Sequence, residues 1–67
     1  SDDMKIIMYM TPYELRNLKE NGKGLLPYRK NNRYIEVVLD LDCIDFDTVT
    51  RGYEVEYLIK INKVNCK

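Results

Sequence analysis

The chain contains no histidine, no tryptophan, no glutamine and no alanine, and its one serine is Ser1. The missing histidine removes the side chain that most often serves as general base, and the commonest ligand for transition metals. It also rules out any serine–histidine–acid set. Cysteine is scarce: Cys43 and Cys66 are too few for the bridged framework of a small secreted domain. The expectation from this count is reduced thiols in the cytoplasm. A thiol nucleophile needs a base or a helix N-terminus beside it, and the sequence identifies neither. No apolar run approaches the roughly 18 residues that would span a membrane. No basic segment followed by an apolar stretch resembles a secretory signal. The three glycines, Gly22, Gly24 and Gly52, fit neither a phosphate-cradling loop nor a dinucleotide-binding pattern.

What is present is the composition of a globular domain. Of 67 residues, 45% are hydrophobic and 33% charged, with a formal net charge of zero. A chain of this length forms one domain at most and buries only about 60% of its unfolded surface. Residues 4–67 are expected to be that domain. Ser1, Asp2 and Asp3 read as a cloning remnant ahead of Met4.

Periodicity gives the order β-α-β-β-β. The apolar run KIIMYM (Lys5–Met10) is expected to be a central strand, since both of its faces are apolar after Lys5. TPYE follows. Thr11 is an N-cap, Pro12 suits the first helical position, Glu14 completes a capping box and Gly22 is a terminator, so the helix should cover Pro12–Asn21. Leu15 and Leu18 form its inner stripe. Pro27 limits Leu25–Arg29 to an edge segment, and Asn31-Asn32 reads as a hairpin turn. From Ile35 onward the alternation is clean. Ile35, Val37, Leu39, Leu41 and Cys43 take one face; Glu36, Val38, Asp40 and Asp42 take the other. A bulge or strand end is expected near Cys43–Ile44, and Asp47–Gly52 reads as a turn-rich connection. Tyr53, Val55, Tyr57, Ile59 and Ile61 alternate with polar residues, broken by Leu58, which predicts a last strand. The fold class is thus α+β: a single short helix packed on a mostly antiparallel four-stranded sheet.

The stretch DLDCIDFD (Asp40–Asp47) concentrates four carboxylates in eight residues. On a strand, Asp40 and Asp42 would lie about 6.6 Å apart along the backbone, too far to converge on a hard cation. Calcium-loop spacing fails as well, because Ile44 and Asp45 fall where a polar ligand and a glycine are required. A catalytic pair would need a cleft that separates two pKa values, which a flat strand face does not provide. Neither a metal nor another cofactor is expected, and no catalytic residue is assigned.

Charge is balanced overall but segregated along the chain. Arg16–Arg33 holds six bases against Glu20, a net of +5, whereas Glu36–Asp47 holds five acids and no base. A dipolar surface of this kind orients partners more than it stabilises a fold. One helix covers only one face of a sheet, so the opposite face should stay open. That face is expected to show Val38 and Leu58, ringed by Asp40, Asp42, Glu54 and Glu56. An apolar centre with a charged rim describes a protein interface. The leading expectation is a small non-catalytic protein-binding module of inhibitor or adaptor type, of the kind viruses use to occupy host enzymes. Its partner would be a protein with a basic surface, or a second copy. The alternative is a nucleic-acid-binding module using YRKNNRY: Arg29, Lys30 and Arg33 on phosphates, Tyr28 and Tyr34 stacked on bases. Net neutrality weighs against it.

Overall fold

The computed structural model describes residues 9–66. Their element order is α1 (Pro12–Asn21), β1 (Lys23–Lys30), β2 (Arg33–Asp40), α2 (Phe46–Val49) and α3 (Val55–Asn65). The class is α+β, but the expected four-stranded sheet with one helix is replaced by a two-stranded antiparallel sheet with three helices. The expected strand Lys5–Met10 falls mainly outside the described residues. Of its members, Tyr9 and Met10 are described and belong to no strand, and Met10 packs against the core.

Helix α1 follows from its capping chemistry. The Thr11 hydroxyl accepts from the Glu14 N–H at 3.1 Å, and the Glu14 carboxylate accepts from the Thr11 N–H at 2.9 Å. Together they satisfy two donors that a helix start leaves orphaned. At the other end Gly22 adopts φ 77° and donates to the Leu18 carbonyl at 2.8 Å, a left-handed stop that favours glycine.

The hairpin forms around Asn31 and Asn32, whose φ values of 53° and 64° are those a two-residue primed turn requires. Pairing then runs from Lys30↔Arg33 down to Lys23↔Asp40, and the Leu41 N–H donates to the Gly22 carbonyl at 2.9 Å beyond it. Strand β2 ends at Asp40, earlier than expected. Leu41 and Cys43 are therefore not strand residues: of the expected bulge or strand end, it is a strand end that occurs, three residues early, and a turn follows it. The Asp40 carbonyl accepts from Cys43 at 2.8 Å and from Ile44 at 3.1 Å, while its carboxylate accepts from the Asp42 N–H at 2.9 Å.

The last element departs furthest from expectation. Residues 53–64 alternate like a strand, yet Val55–Asn65 is helical. Val55, Leu58, Ile59 and Asn62 share one helical stripe, and Val55 and Leu58 are buried in the core. Burying such side chains contributes about 1.5–3 kcal/mol each. That outweighs the few tenths of a kcal/mol by which each β-branched residue disfavours a helix. Leu58, which interrupted the alternation, was the helical signal. Tyr53 and Tyr57, assigned inward on the strand reading, are instead partly exposed and lie against each other with ring centroids 4.9 Å apart.

The core comprises Leu18, Leu26, Leu39, Ile44, Val49, Val55 and Leu58. It lies between one face of the hairpin and the helices. Lys19 of α1 reaches over the Phe46 ring of α2, 5.6 Å from its centroid. Cys43 and Cys66, expected as reduced thiols, form a disulfide with Cα atoms 5.6 Å apart, which ties the end of α3 to the turn after β2. Among the described residues, no helix is long and apolar enough to cross a membrane.

Candidate functional site

Side chains directly opposite in an antiparallel pair share a face. Gly24, Leu26 and Tyr28 with Leu39, Val37 and Ile35 therefore face the helices, and a Cβ on Gly24 would sit 3.5 Å from Leu18. The other face carries the pairs Lys23/Asp40, Leu25/Val38, Pro27/Glu36 and Arg29/Tyr34. Leu25 is 54% exposed, Val38 50% and Tyr34 71%. Two apolar side chains thus sit side by side on this outward face, with Tyr34 at the turn end and charged groups at both ends.

The hydrogen-bonding pattern explains how Pro27 is accommodated. The Asn62 amide donates to the Val38 carbonyl at 3.1 Å, and its oxygen accepts from the Asp40 N–H at 3.0 Å. Backbone groups of Val38 and Asp40 thus point away from β1, towards α3. By alternation the Pro27–Glu36 pair is also one whose backbone groups point outward. The missing proline N–H falls on the outer edge of β1 and breaks no rung of the ladder.

The six residues expected to form one acidic-rimmed face are not brought together. Val38 and Asp40 lie on the outward hairpin face. Asp42 is exposed in the following turn. Glu54 is the N-cap position of α3, and Glu56 lies in its first turn, where it approaches Lys30 at 3.9 Å. Leu58 is 0% exposed and belongs to the core, so it meets no partner. A sheet face shared by these positions requires strands that are helix here.

Two carboxylates of the acidic stretch have local structural partners. Asp40 closes the turn at the end of β2. Asp45 caps α2, and the hydrogen bonds it accepts from Thr48 hold its carboxyl below the ordinary range. Asp47 lies within α2. Among the described residues, no group of three or more acidic or thiol side chains gathers where a cation would sit.

The alternative set is divided as well. Arg29 and Tyr34 pair on the outward face, whereas Tyr28, Lys30 and Arg33 take the opposite face. Burial and the adjacent Glu56 carboxylate raise the Tyr28 phenol above its ordinary pKa. Lys30 also lies 3.9 Å from the Glu56 carboxylate, so the five residues are split between two faces rather than gathered on one.

Leu25, Pro27 and Lys23 share the outward face with Val38 and Asp40 and were not among the expected residues. The signal for them was available: a two-residue Asn31-Asn32 turn fixes Lys30 opposite Arg33 and hence Leu25 opposite Val38. Comparison of the chain with protein-family models, with curated proteins and with solved structures gives no match.

Proposed function

We propose that this chain is a non-catalytic protein-binding module, of the inhibitor or adaptor kind, that docks through the outward face of its hairpin. The observation that carries this reading is the cross-strand pair Leu25/Val38, half-exposed beside Pro27 while the helices pack on the other side. Adjacent apolar side chains bounded by charge are the core-and-rim anatomy of an interface. The non-catalytic part rests on the residue inventory: no histidine, and carboxylates at Asp40 and Asp45 committed to a turn and a cap. The rim is of mixed sign, Lys23 and Arg29 with Glu36 and Asp40, which favours a partner of mixed charge over a purely basic one. The disulfide favours an oxidising compartment over the cytoplasm, because such bonds persist where thiols are not kept reduced.

A photo-reactive amino acid placed at Leu25 or Val38, in protein returned to its native source, tests the reading. Adducts to protein should form at these positions and not at exposed Lys63 on α3. Absence of adducts at 25 and 38, or equal labelling at all three, refutes it.

A further inference from the structure

We infer that the partner on the outward hairpin face is a second copy of this chain, docked face to face about a two-fold axis parallel to the strands. This rests on the binding reading above and names its occupant. Each end of the face joins groups that attract one another: Lys23 beside Asp40, and Arg29 beside Tyr34, with Leu25 beside Val38 between them. A two-fold axis running along the hairpin exchanges its two columns and keeps their height. Strand β1 of one copy then lies over β2 of the other. Lys23 meets Asp40 of the second copy, Leu25 meets Val38, Pro27 meets Glu36, and Arg29 meets the Tyr34 ring, each contact occurring twice.

The geometry of sheet packing allows this. Facing sheets lie about 10 Å apart and cross at about 30°. The end pairs are about 10 Å from the centre of the face, so the crossing displaces them by about 5 Å. Flexible lysine and arginine side chains span that offset. A two-fold axis across the strands is disfavoured by the same residues. It lays Lys23 over Arg29, like on like, and Asp40 over Tyr34; both arrangements set one apolar side chain, Pro27 or Val38, against Glu36, so the charged ends decide between them. The balanced signs also argue for self-association, since a partner with a single-signed surface would meet like charge at Lys23 and Arg29 or at Glu36 and Asp40. The face measures about 26 by 10 Å, below the size of a standard stable interface. The dimer is accordingly weak and forms only at high protein concentration.

Sedimentation equilibrium of the disulfide-bonded chain, between about 10 µM and 1 mM, should show the average mass rising from monomer towards dimer. Lys23→Asp and Asp40→Lys should each sediment as a monomer, because each places like charges opposite one another. An equimolar mixture of the two should recover the dimer, since both facing pairs are then opposite in sign. Asp40 also closes a turn, so Leu25→Asp is the second variant: it should stay folded by circular dichroism and lose dimerisation. A photo-reactive residue at 25 should join residue 38 of a differently labelled copy. A wild-type chain that is monomeric at about 1 mM overturns the inference. So does undiminished association of a folded Leu25→Asp, a mixture no more dimeric than its components, or crosslinks to Pro27. Adducts to a foreign protein by a monomeric chain refute the self-pairing and leave the binding reading intact; no adducts at all refute both.

Discussion

Removing the Cys43–Cys66 bond should cost this domain much of its stability, by an amount that can be worked from the loop it closes. The bridge joins residues 23 apart in sequence. Loop-closure entropy for that span restricts the unfolded chain by about 3.5 kcal/mol at 25 °C. A 67-residue domain has a total stability of roughly 3–10 kcal/mol. In the folded state a second contact also joins the two ends. The Asn65 amide donates to the Cys43 carbonyl at 2.7 Å, while the Cys66 N–H donates within the end of α3 to the Asn62 carbonyl at 3.0 Å. The loss therefore arises mainly in the unfolded ensemble. Cys66→Ala leaves buried Cys43 in place as a small apolar side chain and is the cleaner variant. Its melting temperature should fall by about 15–25 °C. The urea slope should rise, because an unbridged chain exposes more surface on unfolding. Reductant should reproduce the shift in the wild-type chain and leave the variant unchanged. A loss below about 1 kcal/mol by urea titration, with the bond shown present beforehand by thiol assay, would refute the entropic account.

Two further outcomes follow from the core and from Tyr28. Leu18 is fully buried among Leu26, Leu39 and Leu58, so Leu18→Ala should destabilise by about 2–5 kcal/mol in chemical denaturation; a change under about 1 kcal/mol would place the core elsewhere. The Tyr28 phenol holds its proton more tightly in the folded chain than in the unfolded one. Its contribution to stability is complete below pH about 10 and disappears as pH rises through the higher folded value. Tyr28→Phe should remove that alkaline slope, and identical melting-against-pH curves for the two proteins would contradict it.

How much of this was legible in the sequence depended on whether a local signal had a rival. Helix α1 had none: Thr11, Pro12, Glu14 and Gly22 specify its ends through hydrogen bonds within a few residues, and its bounds are as expected. The Asn31-Asn32 turn likewise needs only backbone that tolerates positive φ. The last segment had a rival. Val55, Ile59 and Ile61 satisfy a period of two, and Val55, Leu58 and Ile59 satisfy a helical stripe. Only the position of the hairpin face decides between them, and that is a tertiary fact. The same limit hid the disulfide. Cys43 and Cys66 approach only because α3 returns along β2, which a final strand would not have done in the same way. The candidate face was half legible: Val38 and Asp40 were assigned outward correctly as a pair, but their neighbours were sought on α3 when they lie on β1.

Size also bears on how the open face should be interpreted. Among the described residues the sheet has two strands and two faces, and the three helices lie on one of them. Exposure of the other follows from the architecture alone and carries no functional meaning. Composition is what separates a solvated face from a docking face. A face built only to meet water would be expected to carry polar side chains along its whole length, as binary patterning requires. Here the centre is Leu25 with Val38, beside Pro27, and the charges stand at the ends and edge. Exposed apolar side chains on a hairpin invite non-specific association, and natural sequences limit it with charge or proline. Pro27 denies a pairing strand one donor on the outer edge of β1, while the alternation of Lys23, Asp40, Arg29 and Glu36 penalises misaligned neighbours. Both features restrict edge-on aggregation and leave face-on contact permitted. That is the combination a domain with one orienting contact requires.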